Sequence, residues 1–227
     1  MYRSIGKRVL DVSIAFALLV LAIVPMACIA AVIRICTGSP VLFRATRPGR
    51  HGALFTLHKF RTMTNAMDER GRPLPDRERV TALGRILRRT SLDELPQLIN
   101  VLAGEMSLVG PRPLLVEYLD RYSAEQARRH DVLPGITGLA QVSGRNAAGW
   151  ERKFEYDVYY VDHVHFLLDL RILFRTALKV LRRENVSPDG DVNVPPFTGA
   201  VPSLALIVQG SERRQCATNV NARGGDR

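Results

Sequence analysis

The segment that decides the fold is residues 91–113, "SLDELPQLINVLAGEMSLVGPRP". Two neighbouring carboxylates, Asp93 and Glu94, stand directly before an apolar stretch, and Pro96 follows three residues after Asp93. Ser91 and Glu94 have the spacing of a capping box, in which both side chains serve the first turn of a helix. The question is where this helix begins, and whether the two carboxylates do more than cap it.

Pro96 bears on the start of the helix. With Ser91 as the N-cap, Pro96 would occupy the fifth helical position, where its missing N–H removes a helical hydrogen bond. With Asp93 as the N-cap, Pro96 falls in the first turn, where no donor is needed. The sequence therefore predicts a helix that begins near Asp93 and ends at Gly104. Its predicted buried face consists of Leu95, Leu98, Ile99 and Leu102.

Two carboxylates at the positive end of a helix have two interpretations. In the first they only cap the helix, and both are expected to be ionised at neutral pH. In the second, one carboxylate attacks a phosphorus atom while the other holds Mg²⁺, which binds one or two carboxylates together with phosphate oxygens. Free helix N–H groups and the nearby Arg88 and Arg89 would then bind the phosphates. The spacing alone leaves both interpretations open.

Residues 12–33, "VSIAFALLVLAIVPMACIAAVI", contain no charge and exceed the roughly 18 residues at which an apolar run becomes a membrane candidate. A cleaved signal peptide fits poorly, because the run is long and lacks a convincing small-residue cleavage site. Pro25 in its middle predicts a kink or break of the helix. Basic residues flank both ends, and the positive-inside rule then favours a segment that enters and leaves on the cytoplasmic side. A spanning helix and a re-entrant one both remain open from the residues alone.

The rest of the chain predicts an α+β fold that is mainly helical. The predicted parts are strand and loop over 36–60, an exposed loop over 65–80, a short amphipathic helix over 81–89, a helix over 112–133, a glycine-punctuated loop or short strand over 134–146, and helix over 150–183. The second half of the last helix is amphipathic, which suits either an interfacial membrane helix or a surface helix. Pro, Gly, Asn and Ser dominate the end of the chain, which predicts a mostly disordered tail at 186–227. Together with the apolar run, this divides the chain into a membrane segment at 1–36, a domain at 37–185 and the tail.

The composition favours anionic partners. The chain has 32 Lys and Arg against 22 Asp and Glu, a formal net charge of +10. Nucleic acid, anionic lipid and phosphorylated small molecules all suit this surface, but no nucleic-acid-binding motif is present, so nucleic acid is not an expected partner. The cysteines, Cys28, Cys36 and Cys216, have neither zinc-site spacing nor a disulfide framework, which indicates a reducing compartment.

Four strings resemble the bacterial sugar transferase family, in the small form of the monotopic polyprenyl-phosphate phosphoglycosyl transferases. They are "KRVLDV" at 7–12, "HKFRTM" at 58–63, "LGRILRRTSLDELPQLINVLAGEMSLVGPRP" at 83–113 and "PGITGLAQVSGRN" at 134–146. The resemblance extends over roughly residues 4–183. It implies a re-entrant membrane helix-break-helix around Pro25, followed by a cytoplasmic catalytic domain with short strands and amphipathic interfacial helices.

The resemblance also implies an activity. Such enzymes move a sugar-1-phosphate from a UDP-sugar to polyprenyl (undecaprenyl) phosphate at the cytoplasmic face of the bacterial inner membrane and release UMP, as the first membrane step of exopolysaccharide or O-antigen assembly. By this resemblance Asp93 attacks the β-phosphorus and forms a phosphosugar-aspartyl intermediate. Glu94 binds Mg²⁺, and Arg88 contacts a phosphate.

Further residues are candidates for substrate contacts. Lys59, Arg61 and Arg112 would bind phosphate or nucleotide, while Gln141 and Arg145 match the loop that the family has near the nucleotide. Asp157 lies in a family-like patch, where a structural salt bridge is the competing role. The alternative function is a non-enzymatic, basic, membrane-attached assembly or lipid-binding module, which would need no intact pair of carboxylates.

Overall fold

The computed structural model describes residues 2–144, 149–182 and 196–199. Its helices are α1 (Lys7–Cys36), α2 (Asp76–Arg79), α3 (Ala82–Thr90), α4 (Gln97–Ala103), α5 (Ala124–Ala127), α6 (Leu139–Gly144), α7 (Trp150–Asp162) and α8 (Phe166–Arg182). Its strands are β1 (Leu42–Pro48), β2 (Leu54–Phe60), β3 (Ser107–Val109) and β4 (Gly135–Thr137). A π-helical turn, Tyr2–Gly6, precedes α1. The predicted class, mainly helical with short strands, is confirmed.

Helix α1 is one continuous α-helix of 30 residues with Pro25 in its interior. The α-helix is therefore not interrupted at Pro25, which excludes the predicted break, whereas the predicted kink at this residue stays a prediction. Proline removes one helical donor, but the other backbone groups of an apolar segment have no partners outside the helix, so the helix continues. Within the described part of the chain, Tyr2–Cys36 is the single helix long and apolar enough to cross a membrane, and 6% of its most apolar window is buried. Whether its two ends lie on the same side of a membrane stays a prediction.

Strand and loop were expected over residues 36–60, and the structure has there two strands, β1 and β2, that pair as an antiparallel hairpin, with Leu42 opposite Phe60 and Pro48 opposite Leu54. A 3₁₀ turn, Arg50–Gly52, joins them. The buried residues of β2 are Phe55, Leu57 and Phe60. The predicted exposed loop over 65–80 contains the short helix α2, and the predicted amphipathic helix over 81–89 is α3, whose N-cap Thr81 accepts a hydrogen bond from the Gly84 N–H at 2.8 Å.

The start of α4 differs from the prediction. Leu92–Glu94 form a 3₁₀ turn, Pro96 is the N-cap, and the α-helix begins at Gln97 instead of near Asp93. Ser91 makes no capping hydrogen bond, because it adopts a left-handed conformation (φ 58°) in which its N–H bonds back to carbonyls of α3. A residue that terminates one helix in this conformation cannot also adopt the extended backbone of an N-cap. Asp93 and Glu94 are thus held in a tight turn between two helices.

The buried face of α4 is also only partly as predicted. Leu98 is buried, whereas Ile99 is exposed, and the other buried residues are Gln97, Asn100 and Val101. Asn100 is tolerated in the interior because its Nδ2 donates to Thr56 O at 2.7 Å and to Glu105 Oε2 at 2.6 Å. The predicted end of the helix at Gly104 is confirmed, since Gly104 has φ 85°.

The helix predicted over 112–133 is interrupted. The chain forms a 3₁₀ turn at Val116–Arg121, helix α5, and a second 3₁₀ turn at Arg128–Asp131. Ser123 and Gln126 form a capping box that begins a new helix at α5, and this ends the preceding turn. Beyond it, the glycine-punctuated segment contains the short strand β4, one of its two predicted forms, and this strand pairs in parallel with β3, with Ser107 opposite Gly135. Helix α6 follows where only loop or strand was expected.

The main core lies where α1, α4, β3 and the last two helices meet, and its buried residues include Val101, Met106, Val109, Tyr160 and Ile172. The helical prediction for 150–183 is confirmed as α7 and α8, with a break at residues 163–165. Helix α8 leaves large apolar residues exposed, namely Phe166, Leu167, Leu170, Phe174, Val180 and Leu181. The predicted tail at 186–227 lies outside the described residues except for 196–199, where Phe197 is buried.

Candidate active site

One large cavity gathers the polar residues that the sequence singled out. Its volume is about 1160 Å³, and its walls come from the β1–β2 hairpin, the end of α3, the turn before α4, the loop after β3, and helices α6 and α7. The predicted site residues that line it are Lys59, Arg61, Arg88, Asp93, Glu94, Arg112, Gln141 and Asp157. Arg145 lies outside the described residues. Residues more than 90 positions apart in the chain therefore meet around a single space.

Glu94 is held by two cations. Lys59 Nζ lies 2.6 Å and Arg112 Nη2 lies 2.7 Å from the same carboxylate oxygen, Oε1. Burial pushes the pKa of Glu94 upward, but the charges and hydrogen bonds of Arg112 and Lys59 outweigh it, so the pKa ends well below its usual range. Glu94 in turn raises the pKa of Arg112. This carboxylate is a fixed negative charge at any physiological pH.

Asp93 has the opposite surroundings. It is 8% exposed, and its carboxylate makes no hydrogen bond or ion pair with any described residue. Burial, followed by the neighbouring Glu94, raises its pKa, while Lys59, Arg112 and Arg88 pull the pKa down. That both carboxylates are ionised at neutral pH stays a prediction, but their surroundings differ, because Glu94 is paired with two cations whereas Asp93 lies in the 3₁₀ turn and caps no helix. Asp93 is the more basic carboxylate and has free lone pairs.

The arginines near Asp93 are not equally available. Arg88, in the last turn of α3, donates from Nε to Thr62 Oγ1 at 3.0 Å, and its Nη atoms bond to no described residue. Arg61 is tied down at both ends of its guanidinium, by Met63 O at 2.9 Å and Ser39 O at 3.1 Å. Arg88 therefore has donors ready for an anionic ligand, whereas Arg61 mainly secures the loop that follows β2.

Asp157 forms the structural salt bridge that was its competing role. Arg129 donates to Asp157 Oδ2 from Nη2 at 2.8 Å and from Nε at 3.1 Å, and both residues are buried. Burial raises the pKa of Asp157 and Arg129 opposes this shift. Arg129 Nη2 also donates to Arg112 O at 2.7 Å, which holds the backbone beside Glu94. The pair thus acts on the site through Arg112.

Several cavity residues were missed from the sequence. Arg47 lines the cavity, and its pKa is lowered by burial and by the nearby Arg112. Trp150, Lys153 and Phe154 line it too, together with Asp157. The spacing of these α7 residues, i, i+3, i+4 and i+7, marks a single helix face and could have indicated them. Arg47 and Arg129 had no signal beyond a basic composition.

Among the described residues of the cavity, Glu94 is the carboxylate that could serve as a ligand of Mg²⁺. Across the described residues there is no group of three or more His, Cys, Asp or Glu side chains that could hold a metal ion by themselves. Glu94 Oε1 is occupied by its two cations, while Oε2 has no partner among the described residues. Since Mg²⁺ often binds one or two carboxylates and completes its sphere with substrate phosphates and water, Glu94 fits an ion that is shared with a diphosphate.

Comparisons with known proteins show the family of this chain. The family model described as bacterial sugar transferase matches residues 2–183. An uncharacterized sugar transferase of Bacillus subtilis, EpsL, is 54% identical over 194 residues, which is 86% of this chain and 96% of the relative. The UDP-glucose:undecaprenyl-phosphate glucose-1-phosphate transferase of Caulobacter vibrioides is 43% identical over 193 residues, 80% of this chain and 72% of the relative.

A third relative is longer. The undecaprenyl-phosphate galactose phosphotransferase of Salmonella typhimurium is 43% identical over 164 residues, which is 65% of this chain but 34% of the relative. The part shared with this chain is therefore about a third of that protein. A family match over more than three quarters of the chain, with the Asp93–Glu94 turn inside it, identifies the chain as a member of the bacterial sugar transferase family and as a transferase.

Proposed function

We propose that this chain transfers a sugar-1-phosphate from a UDP-sugar to polyprenyl (undecaprenyl) phosphate and releases UMP. The observation that carries the proposal is the division between the two carboxylates: Glu94 is held by Lys59 and Arg112, whereas Asp93 lines the same cavity and pairs with no residue that the structure describes. The activities in the names of the Caulobacter and Salmonella relatives support the choice of substrates.

In the first step, an Asp93 carboxylate oxygen attacks the β-phosphorus of the donor. A bond forms between this oxygen and phosphorus, the bond from phosphorus to the bridging oxygen breaks, and UMP leaves with the electron pair. Asp93 is suited to this role because no described residue engages its lone pairs and because its pKa is raised, which makes it the better nucleophile of the two. Arg88 and Arg112 stabilise the negative charge on the transferring phosphoryl group.

In the second step, a phosphate oxygen of the polyprenyl phosphate attacks the same phosphorus. The bond to Asp93 breaks, the carboxylate is regenerated, and a polyprenyl diphosphate sugar is formed. Because one displacement is divided into two, donor and acceptor need not react with each other directly. The volume of about 1160 Å³ exceeds the usual range of small-molecule pockets and leaves room for a nucleotide sugar.

Mg²⁺ belongs to the proposal as the cofactor. Glu94 would hold it, and the ion would neutralise charge on the donor diphosphate when bound. Independently of the ion, the chain itself supplies positive charge to the same place through Lys59, Arg88 and Arg112. Lys59 and Arg112 also orient the Glu94 carboxylate, since both bond to Oε1 and leave Oε2 toward other ligands.

Attachment to the bacterial inner membrane follows from the long apolar helix α1 and the lipid acceptor. We place the catalytic domain on the cytoplasmic side, where UDP-sugars are made, with both ends of α1 on that side. A cysteine-labelling scan tests this orientation: in a variant whose own cysteines are replaced by serine, labels at Ser4 and His51 should be accessible from the same side. Accessibility from opposite sides would show a spanning helix.

The activity is tested with purified full-length protein, undecaprenyl phosphate and a panel of UDP-glucose, UDP-galactose and UDP-N-acetylglucosamine. We expect UMP release with at least one donor, dependent on the acceptor, stopped by EDTA and restored by Mg²⁺. The panel also identifies the sugar. The absence of UMP release with every UDP-sugar, from protein that is folded and membrane-bound, would favour the non-enzymatic assembly module.

A further inference from the structure

Phe197 lies outside the stretch that matches the family model, which ends at residue 183, yet it is packed into the domain that carries the cavity. It is 4% exposed. Its N–H donates to Tyr118 OH at 3.2 Å, and its carbonyl accepts from Arg121 Nη1 at 2.7 Å. Both the side chain and the backbone of this residue are therefore engaged, and the contact is a specific one.

The ring of Phe197 completes an aromatic cluster. Its centroid lies 5.0 Å from that of Phe154, 5.6 Å from that of Tyr118, 5.7 Å from that of Tyr122 and 5.8 Å from that of Trp150. These separations are within the range in which aromatic pairs attract each other beyond their simple burial. Phe197 thus contacts every other ring of the cluster formed by these five residues.

Two members of this aromatic cluster face the cavity. Trp150 and Phe154 line it, on the helix face that also carries Lys153 and Asp157, whereas Phe197 does not line it. Trp150 and Phe154 stack nearly parallel, with an interplanar angle of 23° and 5.8 Å between centroids. Phe197 packs edge-on against Phe154 and tilted against Trp150, and it therefore supports the pair without lining the cavity itself.

We infer that Phe197 is a positioning residue for the donor nucleotide. By packing behind Trp150 and Phe154, it fixes the apolar wall against which the flat, uncharged part of a nucleotide lies while the cations hold its phosphates. The inference rests on the proposed use of a UDP-sugar, because it assigns a binding role to a wall of the same cavity. Loss of Phe197 should weaken nucleotide binding and leave the chemistry at Asp93 nearly unchanged.

The chain offers a direct probe, since Trp150 is its one tryptophan and touches Phe197. In the full-length protein, Phe197→Ala should shift the Trp150 emission to longer wavelength as the indole gains contact with water. Calorimetric titration with UDP should show about tenfold weaker binding, in line with the loss of its ring contacts. In turnover, KM for the donor should rise while kcat stays within about twofold.

Two further variants make the result decisive. Arg121→Gln removes the bond to the Phe197 carbonyl from an exposed position and creates no cavity in the core, so it should shift emission and UDP affinity in the same direction by a smaller amount. Thr198→Ala changes the exposed neighbour of Phe197 and should behave like the unaltered protein. If Phe197→Ala does not fold, the Trp150 emission and the UDP affinity of Arg121→Gln test the inference in its place.

A folded Phe197→Ala protein with unaltered emission or unaltered UDP affinity would overturn the inference, as would a fall in kcat at constant KM. Failure of the proposed function has a different signature. In that case UDP would not bind the unaltered protein at all, whereas the emission of Trp150 would still report whether Phe197 is docked.

Discussion

Two of the buried aspartates of this chain, Asp169 and Asp93, have opposite surroundings. Asp169, on α8, is fully buried and accepts hydrogen bonds from Tyr2 OH at 2.5 Å, Lys7 Nζ at 2.8 Å and Tyr160 OH at 2.7 Å. Asp93, at the cavity, is 8% exposed and has no hydrogen-bond or ion-pair partner among the described residues. The carboxylate of Asp169 thus accepts three hydrogen bonds, whereas the carboxylate of Asp93 accepts none from the described residues.

The difference shows what each carboxylate can do. Burial of a charge is unfavourable unless the group is paired and hydrogen-bonded, so a carboxylate with three donors contributes to holding the fold together. Asp169 joins the start of α1 to α7 and α8 in this way. A buried carboxylate without donors keeps its lone pairs for a substrate, and its unfavourable burial is tolerated because the surrounding cations partly offset it. Asp93 is such a group.

The largest expected effect comes from Asp93→Asn. Removal of the nucleophile should lower UMP release by at least about 10³-fold, measured with the donor identified by the panel. The thermal midpoint should not fall. The folded-state pKa of Asp93 lies above its ordinary value, so the ionised form lowers stability at neutral pH, and that penalty disappears as the pH falls below this pKa. A neutral asparagine removes the same penalty.

An Asp93→Asn protein that retains UMP release would refute the nucleophilic role of Asp93. Loss of activity accompanied by a lower thermal midpoint would show instead that Asp93 is a structural carboxylate like Asp169, and the comparison between them would fail.

The reverse outcome is expected for Asp169→Asn. The change leaves Lys7 without its close anionic partner in a buried place, which should reduce the free energy of unfolding by about 3 kcal/mol. Activity per folded molecule should stay within a few-fold of the unaltered enzyme. Denaturant titration measures the free energy of unfolding, and the rate of UMP release divided by the concentration of folded protein gives the activity per folded molecule.

Asp162→Asn is the matched control for Asp169→Asn. Asp162 pairs with Arg128 at the protein surface, where an ion pair contributes at most about 1 kcal/mol. Equal stability of the two variants would mean that the buried network at Asp169 does not stabilise the fold.

A smaller effect is expected in the pH profile of kcat/KM. Asp93 reacts when ionised, and because its pKa is raised, activity should decline on the acid side at a higher pH than an ordinary aspartate would give. Glu94 stays ionised through this range because its pKa is lowered. Lys59→Gln removes a charge that lowers the pKa of Asp93 and should move the acid limb to still higher pH. If the acid limb of Lys59→Gln lies at the same pH as that of the unaltered protein, the limb reports the titration of a group other than Asp93.

Much of the fold could be predicted from local sequence. The apolar run of α1, the strand and loop content of 36–60, the amphipathic helix α3 and the glycine at the end of α4 each follow from patterns within a few residues. The start of α4 and the interruption near Ser123 could not. Ser91 has a left-handed backbone because it ends α3, and this depends on how two successive helices are connected rather than on the capping-box spacing.

The residues of the candidate site also divide into those that the sequence indicated and those that only the structure revealed. The sequence pointed to Asp93, Glu94, Arg88 and Arg112 through their motif, but gave no sign that Arg129 supports Arg112 or that Phe197 closes the aromatic cluster. Arg129 and Arg112 are 17 positions apart in the chain (129 − 112), and Phe197 is 43 positions from Phe154 (197 − 154). Only a folded chain brings such residues together.

By itself, the sequence determined that this chain has a long apolar helix, a mainly helical domain and a pair of neighbouring carboxylates set among basic residues. Local patterns suffice for these features because helix propensity, hydrophobic run length and motif spacing act over short stretches of chain. Only the tertiary structure decided which carboxylate is free. Glu94 is neutralised by Lys59 from β2 and by Arg112 from the loop after β3, while Asp93, one residue away, lines the cavity without a partner in the described part of the chain. The reason is that pairing of a buried charge depends on partners that distant segments supply.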